Sequence, residues 1–175
     1  MTGTKMTLEA ADFTAFVRTH SRSLYGTAYL LTGNPDAAED LLQDTLAALF
    51  PKWTRVAEAE QSVAYVRRAL ANRFISARRR PSARDLAVWE LPDGPADLDV
   101  AVVVADRRLL WQLLLTLPER QRAALVLRYF HDLPDAEIAP ALGCREVTVR
   151  SLISRGLATL RTRATETERR GSEHR

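Results

Sequence analysis

Arg145, Glu146, Arg150, Ser151 and Ser154 are spaced so that they share the outer face of one helix, close to its start. Arg can fork onto the edge of guanine, Glu can accept from the amino group of cytosine, and Ser or a backbone N–H can hold a phosphate. These are the residue types that a helix in the major groove of DNA needs. Val149, Leu152, Ile153, Gly156, Leu157 and Leu160 fall on the opposite face and should be buried. A preceding helix from Asp135 to Leu142 and a Gly143-Cys144 turn complete a helix-turn-helix pattern. Helical hairpins with a glycine turn also occur in plain bundles, so geometry alone leaves both readings open.

Two further groups of charges are segregated along the chain. Ser23 to Pro51 contains no Lys or Arg, and its acids are Asp36, Glu39, Asp40 and Asp44. Gln61 to Arg84 inverts this, with Arg67, Arg68, Arg73, Arg78, Arg79, Arg80 and Arg84 and no acid. Asp85 to Asp99 inverts it again, with Asp85, Glu90, Asp93, Asp97 and Asp99 and no base. A solvated surface normally mixes signs, so segregation points to separate partners for separate segments; for any one segment, a plain solvated face is an equal alternative.

Catalysis is not expected. His20, His131 and His174 are scattered and match no metal spacing, and no phosphate-cradling glycine loop or hydrolase motif is present. His20 lies on an apolar face, where a satisfied core histidine is the better reading. Cys144 is the only cysteine, which rules out an internal disulfide and fits a reducing compartment. No metal or cofactor is implied.

Helices must position these groups. The chain has 175 residues, 46% of them hydrophobic and 27% charged, with a net charge of +3, as in a soluble globular protein. The apolar run from Val100 to Ala105 is too short to cross a bilayer, and no secretory signal is recognisable. Phe13, Phe16, Val17, Leu24, Ala28 and Leu31 fall on one helical face that stops at Thr32-Gly33. A second helix starts with Asn34 as N-cap and Pro35 at the first position. Its inner face reads Ala38, Leu41, Leu42, Thr45 and Leu49, and its outer face Asp36, Glu39, Asp40, Gln43 and Asp44. A third runs from Val63 to Arg80, with Val63, Val66, Leu70, Phe74 and Ala77 inward and Tyr65, Arg68, Asn72, Ser76 and Arg79 opposite.

Pro81 ends that helix. Residues 81–104 hold Pro81, Pro92, Gly94 and Pro95 and read as a linker, whose closing valine run fits strand or buried helix. Then follow a helix carrying Leu109, Leu110, Leu113, Leu114 and Leu117, another from Pro118, two more over 134–163, and a frayed polar tail after Ala164. The fold class is all-α, with two small helical domains (8–80 and 105–164), a flexible linker (81–104) and a tail (165–175).

The stretch LPERQRAALVLRYFHDLPDAEIAPALGCREVTVRSLISRGLATLR resembles the C-terminal domain of extracytoplasmic-function (ECF) RNA polymerase sigma factors, in a style closest to an actinobacterial subgroup. GNPDAAEDLLQDTLAALF resembles that family's polymerase-binding helix, and AYVRRALANRFISARRR its −10-recognition helix. The three segments keep the family's order and spacing over residues 12–80 and 105–163. The resemblance implies a factor that binds core RNA polymerase, directs it to promoter DNA, works in the cytoplasm without a cofactor, and has an anti-sigma factor as a further partner. It places Asp36, Glu39, Asp40, Gln43 and Asp44 against a coiled coil of the largest polymerase subunit. It places Asn72 on the opened −10 strand, with Arg67, Arg68 and Arg73 on phosphates and Arg79 also at the −10 DNA. It assigns Arg145, Glu146, Thr148, Arg150, Ser151, Ser154 and Arg155 to the −35 duplex, and the linker acids to a path near the RNA exit.

Lys52 to Ala59 aligns with the family's loop for a flipped base. Extrusion costs a few kcal/mol, so a pocket must offset it. Trp53 could stack there, and core filling is the equal alternative. Three positions depart from the family pattern: Arg145 replaces a small N-cap residue, Leu152 replaces a common Arg, and Pro140 removes a backbone donor inside a helix, where a kink is expected. Two other readings compete. An autonomous helix-turn-helix regulator accounts for residues 118–163 but leaves the acidic and arginine helices without a task. An adaptor or anti-sigma protein has no use for two DNA-facing basic helices.

Overall fold

The computed structural model describes residues 2–59, 61–77 and 107–173. The first unit comprises α1 (Thr2–Thr32), α2 (Pro35–Leu49), a 3₁₀ turn (Phe50–Lys52), α3 (Trp53–Ala57) and α4 (Ser62–Ser76). The second comprises α5 (Arg107–Leu115), α6 (Glu119–Leu125) continued by a π-helical turn (Val126–Phe130), α7 (Asp135–Ala141) and α8 (Glu146–Glu173). Among the described residues there is no strand. The linker 81–104, its acids, the valine run, Pro81 and Arg79 lie outside the described residues.

Local signals set the helix boundaries. Asn34 takes extended backbone geometry and its Oδ1 accepts from Ala37 N at 2.9 Å, so α2 begins as capping chemistry dictates. The buried residues of α2 are Ala38, Leu41, Leu42, Thr45 and Leu49, the face read from periodicity. Gly33 closes α1 at φ +72° and Gly143 turns the helix-turn-helix at φ +58°, both left-handed.

Two expectations are corrected. α4 ends at Ser76, and Ala77, expected inward, is an exposed turn residue; Ala64 and Ala71 are buried instead. The tail after Ala164 is not frayed: α8 runs on to Glu173. Pro140 does lie inside α7, one residue before its end.

The apolar faces of the two units meet in one continuous core. Tyr29 of α1 stacks on Trp111 of α5 with ring centroids 5.3 Å apart and planes 7° from parallel. Arg122 of α6 lies over the Phe74 ring of α4, 5.4 Å from its centroid. A Cβ on Gly33 would fall 2.5 Å from a methyl of Leu115, so the first unit's glycine turn admits the second unit's leucine.

Candidate functional site

The acidic face of α2 is intact and open. Asp36, Glu39, Asp40, Gln43 and Asp44 are all exposed, above an underside that is apolar except for Thr45. Gln43 donates to Glu39 at 3.0 Å, which ties two members of the face together. The negative field reaches inward: after burial itself, Glu39 and Asp36 raise the pKa of Tyr25.

The opposite stripe of α4 is engaged. Arg68 lies over Tyr65 and forms an ion pair with Glu137 of α7. Asn72 Nδ2 donates to the carbonyl of Ala141 at 3.1 Å. Arg73 pairs with Asp44 of α2 at 3.1 Å, linking the basic helix to the acidic one. An open cleft of about 510 Å³ remains among α2, α4 and the end of α7, lined by Lys52, Tyr65, Arg68, Asn72, Arg73 and Pro140.

Two side chains assigned to −10 DNA are engaged by the protein itself in this conformation. Arg67 is half-buried beside α1. Its Nη2 donates to Ser23 of α1 at 2.9 Å, its Nε is buried without a protein partner, and burial lowers its pKa. It borders the inner stripe beside Val66, which turns it toward α1. Trp53 is 3% exposed, its Nε1 donates to Asp12 at 3.1 Å, and Phe13 and Phe16 pack on it at 5.0 and 4.7 Å. No ring face is open to a base, so core filling is the reading that holds in this conformation.

In the helix-turn-helix, Arg145, Glu146, Arg150, Ser151, Ser154 and Arg155 are exposed and Thr148 is half-buried. Val149, Ile153, Gly156 and Leu160 form the buried face, with Leu152 and Leu157 packed at its margins. A Cβ on Gly156 would come 2.8 Å from Leu125, so this glycine sets how closely α8 approaches α6.

Three residues of the site went unread in the sequence. Asp135 receives Arg128 and Arg150 on its two carboxylate oxygens. His131 Nε2 lies 2.9 Å from Thr27 Oγ1 across 104 positions of chain. Burial first, then nearby Arg67, push its pKa down to about 3. Glu137 is the partner of Arg68. Their local signal was only that of helix formers or a lone histidine.

Residues 16–84 match the model of sigma-70 region 2, and residues 107–160 that of sigma-70 region 4. The RNA polymerase sigma-E factor of Streptomyces coelicolor is 35% identical over 153 residues, which cover 87% of this chain and 86% of that protein. The chain belongs to the ECF RNA polymerase sigma factors. The ECF sigma factor SigG of Mycobacterium tuberculosis is 31% identical over 178 residues, spanning 86% of this chain and 48% of its own. The fold is also that of the sigma factor RpoE in its co-crystal structure with the anti-sigma factor NepR from Bartonella quintana. That likeness has a TM-score of 0.64 at 24% identity over 86% of this chain and 95% of the other. The region 2 match over the acidic and arginine helices favours a sigma factor over a stand-alone helix-turn-helix regulator. Among the described residues, no helix is long and apolar enough to cross a membrane.

Proposed function

We propose that this sigma factor assigns three surfaces to three tasks and, when free, covers part of its −10 surface with α7. The acidic face of α2 (Asp36, Glu39, Asp40, Gln43, Asp44) docks on core RNA polymerase, which needs exposed carboxylates opposite a basic surface. Arg68, Asn72, Arg73 and Arg79 engage the −10 strand. Arg145, Glu146, Thr148, Arg150, Ser151, Ser154 and Arg155 engage the −35 duplex. The chain acts in the cytoplasm beside the polymerase, with an anti-sigma factor as a further partner and no catalytic step or cofactor of its own.

The observation that carries this reading is the seating of α7 on α4. The −10 and −35 elements lie about two helical turns apart, about 70 Å. Here a helix assigned to one element touches the helix-turn-helix assigned to the other through the Asn72–Ala141 hydrogen bond of 3.1 Å. Both elements therefore cannot be read in this conformation, and the units must separate on the enzyme. The junction is suited to reversal. Its rings and leucines favour closure, while Arg67 Nε, Trp111 Nε1, Arg122 Nε and His131 Nδ1 are buried there without a protein partner. Each such atom can cost about 1–3 kcal/mol.

The test is run-off transcription with core polymerase on a genomic promoter library, paired with promoter binding with and without core. Promoter-specific transcripts and core-dependent binding are expected. Equally tight promoter binding by the free chain would reject the dependence on core polymerase.

A further inference from the structure

Asp135 begins α7, and its side chain is 17% exposed. Arg128, from the π-helical turn, is paired with Oδ1, and Arg150 Nε donates to Oδ2 at 3.1 Å. Both carboxylate oxygens are thus committed to arginines from two other elements. Arg150 itself is 66% exposed, and its Nη2 lies 3.6 Å from Glu146 one turn earlier in α8. A guanidinium presents donors on two edges. Fixing Nε on Asp135 leaves Nη1 for a ligand, and Nη2 as well once the 3.6 Å pair with Glu146 gives way. The same three residues line an open groove beside α8 with Tyr129, Ser154 and Arg161.

We propose that Asp135 is a positioning residue for promoter selectivity: it holds Arg150 in the one orientation from which its fork meets a base edge of the −35 duplex. This rests on the assignment of Arg150 to −35 recognition. A long side chain on an exposed helix samples many rotamers, and bidentate base recognition accepts few of them. Asp135 removes the others before DNA arrives. Its charge acts in the opposite direction on overall affinity. It neutralises one of two arginines next to the duplex, so it weakens the phosphate attraction that every sequence shares. Selectivity and total affinity should therefore move apart when the charge is removed, which a merely structural carboxylate would not cause.

The experiment uses holoenzyme assembled from core polymerase and the full chain, titrated on promoters carrying each single-base variant of the −35 element. Asp135→Asn keeps the shape and loses the charge. Expected is a fall of about three- to tenfold in discrimination at the base pairs that Arg150→Ala also relaxes, a fraction of the loss when a whole bidentate contact goes. Expected with it are tighter binding to non-promoter duplex and a steeper salt dependence, by about one phosphate contact. Discrimination at the −10 element stays unchanged, and Asp135→Asn adds nothing to Arg150→Ala in −35 discrimination. Asp135→Glu, which keeps the charge, restores the salt dependence and part of the selectivity.

If Arg150→Ala relaxes the −35 element and Asp135→Asn does not, the positioning role is overturned and the recognition reading stands. If Arg150→Ala weakens all sequences uniformly, the recognition reading falls and takes the positioning role with it. If Asp135→Asn lowers affinity and melting temperature together, the carboxylate is structural and the proposal is wrong.

Discussion

The side-chain amide of Asn72 in α4 donates to the main-chain carbonyl of Ala141 at the end of α7, 3.1 Å away and 69 positions later in the chain. An amide assigned to an opened DNA strand is thereby occupied by the protein's own backbone. Beside it, Arg68 is paired with Glu137.

Glu137→Arg should loosen this closure, because it replaces a partly buried attraction with like charges. The pair is about one-third exposed on each side, so its loss is worth about 1 kcal/mol, or about a fivefold shift toward separated units. Hydrogen exchange on α4 amides of the free chain and its binding to single-stranded −10 DNA should both rise. If neither rises, the ion pair does not contribute to closure.

Asp40→Lys should weaken assembly with core polymerase in competition against another sigma factor, by about 1 kcal/mol, as for an exposed interfacial charge. Asp40 is the cleaner site, because Asp44 also holds Arg73 and its reversal would disturb α4 as well. Equal competition by mutant and wild type would exclude α2 as the docking face.

Gly33→Ala should destabilise the closed protein. Its φ of +72° costs an L-residue about 1–2 kcal/mol, and the new methyl would overlap the Leu115 side chain at 2.5 Å. The melting temperature should fall. Adding Leu115→Ala should relieve the overlap but not the backbone strain, so the two substitutions should be non-additive. Strict additivity would show that Gly33 and Leu115 do not meet in solution.

His131 makes closure dependent on pH. In the closed protein its pKa is lowered from 6.5 to about 3, by burial and then by the nearby charge of Arg67 of α4, with Thr27 of α1 at Nε2. Once the units separate, the ring returns to its ordinary value. A depressed histidine pKa means that its contribution to closure is complete above about pH 6.5 and is lost as pH falls toward 3. Between pH 7.5 and pH 5 closure should weaken by about 2 kcal/mol. Small-angle scattering of the free chain should show expansion over that interval. His131→Gln should flatten the dependence above pH 5, where carboxylates do not yet titrate. An unchanged pH profile in this variant would remove His131 from the junction.

Much of this protein was legible in its residues alone. The Asn34-Pro35 start of α2, its five inward positions and its acidic outer face follow from capping and a 3.6-residue period. So does the helix-turn-helix, where Gly143 supplies the left-handed turn and Val149, Ile153 and Leu160 the buried stripe. These are interactions within one or two helical turns, and the sequence states them directly.

Other features depend on residues far apart in the chain. Trp53 is core filler because Asp12, Phe13 and Phe16 reach it from α1. Arg67 turns inward because Ser23 lies 44 positions before it. Thr27, an ordinary helix residue in the sequence, is fully buried opposite His131 because the second unit packs on α1. Asp135 reads as a helix former, and only the packing of α7 against the π-helical turn and α8 brings it to Arg128 and Arg150. Periodicity tells which side of a helix is apolar; it does not say which other helix covers that side. In this protein the sequence determined the helices, their faces and the family, whereas the tertiary structure decided which surfaces meet, because burial and partner choice depend on residues tens of positions away.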